Sequence, residues 1–302
     1  MTGAARVLVV ANPTAGTVTP ALVWELVRVC RRQVSRVSVR WTTGPGDAFR
    51  IAESTAEDVV IAVGGDGTVR DVAAGLSAGW SRAALMIVPA GTANSCYHTL
   101  FGTAPWQSTV ESALAAPATR RLDLARIGDR VVFAGASAGF SARAVHEARA
   151  LTSHTGPARY HAALVNLMSR YRPYPGRVAV DGRVVHSGPT LLANVGGSRH
   201  RGGHFELLPR SSQDDGLLDV CVLGGEHSPA AMLELARTGA HVDVPGVVYE
   251  RGRSVRVERT DGRPLWFEHD GEVLPLQRSG YTVDVVPSAV RVLCAESRAL
   301  AA

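Results

Sequence analysis

Lysine is absent from the 302 residues, and all 32 basic residues are arginine. No Walker A lysine, protein-kinase strand lysine or Schiff-base lysine can therefore act in this chain. Cysteine is scarce: Cys30, Cys96, Cys221 and Cys294 are scattered without paired spacing. That pattern argues against a disulfide framework or a zinc site and suits reduced thiols in a cytoplasmic protein. No stretch approaches the ~20 apolar residues of a membrane span. The chain opens Met1-Thr-Gly-Ala-Ala-Arg6 straight into an apolar strand, so no signal peptide is expected.

What is present suits one large or two modest globular domains: 46% of residues are hydrophobic and 20% charged. The net charge of +5 and a pI near 9.4 suit an anionic lipid surface or a phosphorylated ligand, and suit a generic solvated surface equally well.

The chain is organised around Asp58–Gly75. Val59 to Val63 is a short β-branched apolar run, which predicts a buried parallel strand. Gly64, Gly65, Asp66 and Gly67 follow, where backbone can turn sharply and lie close to a ligand. Thr68 is placed as an N-cap for a helix carrying Val72, Ala73 and Leu76. A strand, a glycine-rich turn and a helix N-terminus make an anion site, suited to phosphate. Asp66 among those amides would repel an anion, so it is expected to handle Mg²⁺ or a proton.

Around this stretch the pattern alternates. Arg6–Ala11 is a strand ending in Asn12-Pro-Thr-Ala-Gly16. Pro20–Arg32 is an amphipathic helix, with Leu22, Leu26 and Val29 on one face. Val34–Trp41 is a strand ending in Thr42-Thr-Gly-Pro-Gly, with a helix from there to about Glu57. Ala83–Val88 is a strand closed by Pro89-Ala-Gly-Thr-Ala-Asn94. Strands that end in Gly, Thr, Asn or Pro turns, separated by helices, predict a doubly wound α/β domain with ligands at the strand ends.

After about Leu124 short β-like runs take over: 130–134, 177–185, 189–195, 217–223, 254–258, 265–268 and 281–286. Turns such as Asp181-Gly182, Asp261-Gly262 and Asp270-Gly271 punctuate them. An antiparallel β domain is expected, with helical insertions at 141–170 and 228–240.

Five blocks then occur in one order: Asn12-Pro-Thr-Ala-Gly16, Gly64-Gly-Asp-Gly-Thr68, Pro89-Ala-Gly-Thr-Ala-Asn94, Asp214-Asp-Gly-Leu-Leu-Asp219 and Asp270-Gly-Glu272. The second alone resembles the nucleotide loop of diacylglycerol, sphingosine, ceramide and NAD kinases and of phosphofructokinases. All five together resemble the soluble bacterial diacylglycerol kinase-like lipid kinases, over about residues 5–292. NAD kinases share the glycine block but not the terminal Asp-Gly-Glu, so Glu272 argues against them.

The resemblance implies a doubly wound α/β nucleotide-binding domain at 1–125, with 289–302 returning to it, and an antiparallel β-sandwich substrate domain at 126–288. It implies ATP and Mg²⁺ as cofactors and ATP in an interdomain cleft. By match, Asn12, Pro13, Thr14, Ala15 and Gly16 line the nucleotide site, with Thr42 or Thr43 nearby. Gly64, Gly65, Asp66, Gly67, Thr68 and Asp71 cradle the phosphates, joined by Gly91, Thr92 and Asn94. Glu272 would be the base that takes the acceptor proton, and Asp66 would assist with Mg²⁺. Asp123 would be a further acid near the cleft. A second, structural Mg²⁺ would take the Asp215 side chain and the Ser212 and Leu217 carbonyls. The implied partners are a lipid or lipid-like alcohol, with peripheral contact at an anionic membrane and a homodimer left open. Nucleic acid is not among them, because Arg251, Arg253, Arg256 and Arg259 lack interleaved aromatics.

Three positions depart from the family pattern. Arg70 replaces the usual Asn, Ser95 replaces an Asp after Gly-Thr-x-Asn, and Ser141 replaces the Asp of Gly-Phe-Asp. These changes lead to the expectation of an acceptor other than ordinary diacylglycerol, or of weak turnover. Other readings stay open: another hydrophobic metabolite as acceptor, an NAD kinase-like activity, or a binding protein without turnover. Gly135-Ala-Ser-Ala-Gly139 also fits a hydrolase nucleophile elbow, with Asp219 and His241 or His269 as partners. Arg199-His-Arg-Gly-Gly-His204 suits an anionic head group or a solvated loop.

Overall fold

The computed structural model describes residues 5–151, 156–201 and 205–295. The chain divides into two compact units: one runs to Leu122 and resumes at Ser288, and the other is Asp123–Pro287. Both divisions fall inside long strands.

The first unit holds β1 (Arg6–Ala11), α1 (Pro20–Arg31), β2 (Arg36–Trp41), α2 (Asp47–Glu53), β3 (Val59–Gly64), α3 (Asp66–Ala78), β4 (Ala84–Pro89), α4 (Ser95–Phe101) and α5 (Trp106–Ala115). β5 (Pro117–Ile127) leads out of it. The strands form a parallel sheet in the order β2-β1-β3-β4, with registers Val7↔Val37, Val7↔Val59 and Val59↔Ala84. Val292 extends it beside Leu85, again parallel. β3 is buried at every position and β1 from Val7 on, as an unbroken Val/Ile run requires in a sheet covered on both faces. α1 starts at Pro20, and its cap Thr19 accepts the Leu22 amide at 3.2 Å. It buries Val23, Leu26, Val27, Val29 and Cys30, a face turned slightly from the one expected, since Leu22 is only half-buried. α2 stops at Glu53, four residues short of expectation.

The second unit holds β6 (Arg130–Val132), β7 (Ala136–Gly139), α6 (Phe140–Ala148), α7 (Gly156–Met168), β8 (Tyr174–Val180), β9 (Arg183–Gly196), β10 (His200–Arg201), β11 (Phe205–Glu206), β12 (Leu218–Gly224), α8 (Pro229–Leu235), β13 (Val248–Gly252), β14 (Ser254–Arg259), β15 (Phe267–His269), β16 (Glu272–Val273) and β17 (Gly280–Ala295). β17 passes into the first unit at Ser288, and the pairings within Asp123–Pro287 are antiparallel. β9 serves both layers of a β-sandwich: its first half pairs with β8, and its second half lies between β7 and β12. The run expected at 177–185 is a hairpin instead, because Asp181 and Gly182 both take left-handed φ, 48° and 82°. One core gathers Val178, Val195, Val220, Val257, Phe267 and Val283 between the layers. A second packs Phe140, Leu164, Leu191, Phe205, Leu223 and Met232 between α6, α7, α8 and the sheet.

All four cysteines are free and buried. Burial pushes the thiols of Cys30 and Cys221 up to about 12. Among the described residues no helix is long and apolar enough to cross a membrane.

Candidate active site

In the first unit a cleft of about 610 Å³ opens at the C-terminal ends of β1, β2 and β3, where open α/β sheets take ligands. Its walls are Asn12–Ala15, Thr42–Pro45 with Ala48, and Gly65, Gly67, Thr68, Arg70 and Asp71. Three sequence blocks thus converge, because three adjacent parallel strands deliver them to one edge.

Asn12 organises the wall. Its Oδ1 accepts the Thr14 amide at 3.0 Å and the Thr14 hydroxyl at 2.8 Å. Its Nδ2 donates to Thr68 Oγ1 at 3.1 Å. That bond corrects the role expected of Thr68: the cap lies three residues earlier, at Gly65, and Thr68 is buried in the first turn. Gly65 has extended backbone that lets the helix begin at once, so a capping hydroxyl at 68 comes too late. Across the cleft the Thr43 hydroxyl and amide both donate to Asp47 and hold its carboxyl down at about 2.

Gly16, Gly64, Asp66, Gly91, Thr92 and Asn94 do not line this cleft. Three of them serve the wall from outside. Asn94, at φ 52°, accepts the Gly91 amide at 2.8 Å and returns a bond to the Gly91 carbonyl. A Cβ on Gly91 would lie 2.2 Å from Gly65 Cα, so the two glycine turns stack at a distance only glycine allows. Asp66 Oδ1 accepts the Cys96 amide at 2.9 Å, which fixes the first turn of α4. Arg70 does line the cleft. Its Nε and Nη2 reach Asp71 Oδ1 at 3.1 and 3.0 Å, and it is the one cation among the described lining residues.

In the second unit Asp270-Gly271-Glu272 forms the turn between β15 and β16. Asp270 is a buried anchor: it accepts the amides of Phe133, Ala134 and Gly135 at 2.9, 2.8 and 3.3 Å. Burial pushes its carboxyl up, but the nearby His269 and Arg201 and the Phe133 amide outweigh this and hold it low. Gly271 takes φ 80°, the left-handed turn position that favours glycine. Glu272 is then presented partly exposed, 3.8 Å from Arg130 Nη1.

The loop after β11 does not fit a divalent cation. Asp215 Oδ1 accepts the Leu217 amide at 3.0 Å, and its Oδ2 is ion-paired with Arg251. Arg251 Nε also lies 3.6 Å from the buried Asp219, its cross-strand partner. A guanidinium therefore sits on the carboxylate that Ser212 and Leu217 were expected to share with Mg²⁺. Asp123 is occupied too, accepting the Gly216 amide at 2.6 Å. Among the described residues no three His, Cys, Asp or Glu side chains converge as metal ligands.

The hydrolase elbow is not formed. Ser137 lies in an antiparallel strand and donates to Glu268 Oε1 at 2.5 Å. It accepts from Ser141 at 2.9 Å, so its partners are a glutamate and a serine, with no histidine. In the 199–204 cluster Arg201 turns inward to pair with Glu268, and Arg199 Nε donates to the Ser211 carbonyl at 3.1 Å. Gly202, Gly203 and His204 lie outside the described residues. Sequence reading gave Glu268 no role beyond the end of a strand and weighed Arg251 only for nucleic acid. Nothing in a single sequence marks either, since both depend on cross-strand register.

A parallel α/β unit with a glycine turn at its strand ends, together with an antiparallel β-sandwich, defines the class: the fold of diacylglycerol kinase-like proteins. Residues 6–127 match the diacylglycerol kinase catalytic domain family, and 134–294 match the YegS C-terminal NAD kinase beta sandwich-like domain. The chain belongs to this kinase family. It is 32% identical over 277 residues to a probable lipid kinase YegS-like protein of Klebsiella pneumoniae (strain 342), covering 88% of this chain and 89% of that one. A probable lipid kinase YegS-like protein of Pseudomonas aeruginosa is 30% identical over 267 residues, covering 87% of this chain and 86% of its own. In fold it is similar to a solved structure titled a putative diacylglycerol kinase from Bacillus anthracis, with TM-score 0.79, 19% identity and coverage of 98% and 99%.

Proposed function

We propose that this chain is a lipid kinase that transfers the γ-phosphate of ATP to the hydroxyl of diacylglycerol or a similar lipid alcohol. The observation that carries the reading is the cleft at the ends of β1, β2 and β3, where two of the family's blocks meet the Thr42–Pro45 turn. ATP enters with Mg²⁺ and lays its phosphates along the Gly65–Asp71 turn, under the first amides of α3. Asn12–Ala15 and Thr42–Thr43 hold the rest of the nucleotide. Asp66 steadies that turn through α4.

Glu272 takes the proton of the acceptor hydroxyl as its oxygen bonds to the γ-phosphorus and the bond to the β-bridging oxygen breaks, releasing ADP. The first unit is the nucleotide domain and the second the acceptor domain. The pocket between α6, α7, α8 and the sheet is apolar, as a hydrocarbon chain requires, and at about 30 Å³ it must widen to take one. Work on lipid fits a cytoplasmic protein that touches a membrane peripherally.

The test is transfer of labelled γ-phosphate with Mg²⁺ to total lipid extract, diacylglycerol, sphingosine and NAD, with Glu272→Gln alongside. A labelled lipid that disappears in the variant supports the reading. Label in NAD, or label in lipid that survives Glu272→Gln, counts against it.

A further inference from the structure

Glu268 is a buried carboxylate that no step above uses. Its side chain is only 3% exposed. It lies in β15, four residues before the proposed base, opposite Ser137 in the β7 register. Its Oε2 accepts the Gly271 amide at 2.9 Å, inside the Asp270–Glu272 turn. Its Oε1 takes the Ser137 hydroxyl at 2.5 Å and is ion-paired with Arg201, itself only 11% exposed. Ser141 donates to Ser137, so the line runs Ser141–Ser137–Glu268–Gly271.

Water does not reach a carboxylate at this depth, so Arg201 and two hydrogen bonds supply its partners there. The turn is thus gripped twice. Asp270 ties it to the 133–135 backbone with its own side chain, and Glu268 ties down the next amide. Together they hold the backbone from which Glu272 extends. Position 141, where the family pattern has an acid, is a serine here. A carboxylate nonetheless stands two hydrogen bonds away, supplied by the neighbouring strand.

We propose that Glu268 is the positioning residue for Glu272, acting through the Gly271 amide and held in turn by Arg201, Ser137 and Ser141. This rests on the kinase reading. The choice of glutamate is chemical: a carboxylate accepts at both oxygens, whereas a glutamine has one acceptor and cannot serve both the Gly271 amide and the Arg201 guanidinium, although the Ser137 hydroxyl can turn to accept from its NH₂.

The test compares Glu268→Gln, Ser137→Ala and the pair Arg201→Gln with Glu268→Gln against wild type. Each is read for kcat, ATP KM, ATP-binding stoichiometry, thermal midpoint and hydrogen exchange of the Gly271 amide. Glu268→Gln is expected to lower kcat by about tenfold to a hundredfold, as a small misplacement of a reacting group does. ATP KM and stoichiometry should stay within about twofold, and Gly271 should exchange faster. Removing both charges in the pair should recover much of the thermal midpoint without recovering kcat. Ser137→Ala should fall between.

Recovery of kcat along with the midpoint, or an unchanged kcat in Glu268→Gln, would overturn the assignment and leave Glu268 a stability residue. If wild type phosphorylates no acceptor, the kinase reading fails by itself. The Gly271 exchange rate then still decides whether Glu268 holds the turn, and an unchanged rate sinks it.

Discussion

Replacing Asp270 by asparagine isolates one interaction in the turn that carries Glu272. The aspartate accepts three amides, two at Oδ1 and one at Oδ2. In the variant the amide oxygen can keep Ala134 and Gly135, but its NH₂ then faces the Phe133 N–H, donor against donor. One charge-assisted bond is lost and one buried amide is stranded, a cost of about 2–4 kcal/mol. For a unit of this size each kcal/mol moves the thermal midpoint by about 2–4 °C, so a fall of roughly 5–15 °C is expected by calorimetry.

The pH dependence adds a second check. The folded carboxyl titrates below its ordinary value, so its contribution is complete above about pH 3.9 and is lost as pH falls through the lower folded value. The gap between wild type and variant should be flat from neutral pH to about 4 and should shrink below that. A midpoint within about 2 °C of wild type at neutral pH would refute the account of Asp270 as anchor.

Three further outcomes follow. His241 is buried, and desolvation holds its ring below the ordinary histidine value. Its neutral form therefore contributes stability above about pH 6.5 that is lost as pH falls toward the depressed value, and His241→Gln should flatten that acid slope in thermal midpoint. Without nucleotide, the midpoint should differ by less than about 1 °C between Mg²⁺ and EDTA; a saturable rise that Asp215→Asn abolishes would show that the loop does take a metal. Arg70→Asn should weaken ATP about tenfold while leaving AMP within about twofold, by direct titration; equal losses for both would remove Arg70 from the phosphates.

The parallel strands were legible because β1 and β3 are largely β-branched apolar runs, β2 alternates, β4 is an apolar run, and each ends in a turn. β1 and β3 needed nothing more. Their delivery of Asn12, Thr42 and Gly65 to one edge follows from parallel order alone. What escaped was whatever depends on pairing. β13 reads Val-Tyr-Glu-Arg-Gly, a half-buried edge strand without clean alternation, and it becomes a strand only beside β12. The same pairing brings Arg251 onto Asp215 and Asp219. Thr68 was misplaced because hydroxyls favour caps in general, while here a glycine with extended backbone starts the helix first. Asp270-Gly-Glu272 was recognised as a block, but its division of labour, one acid inward and one outward, needed the fold.

The four buried thiols have a practical corollary. No side chain carries a primary amine, and no described cysteine reaches solvent. Reagents that seek side-chain amines or exposed thiols find no target on the folded surface. Its positive charge comes from arginine alone, which stays protonated beyond about pH 12. Any attraction to an anionic surface that arginine supplies should therefore persist at alkalinities where lysine has lost its charge.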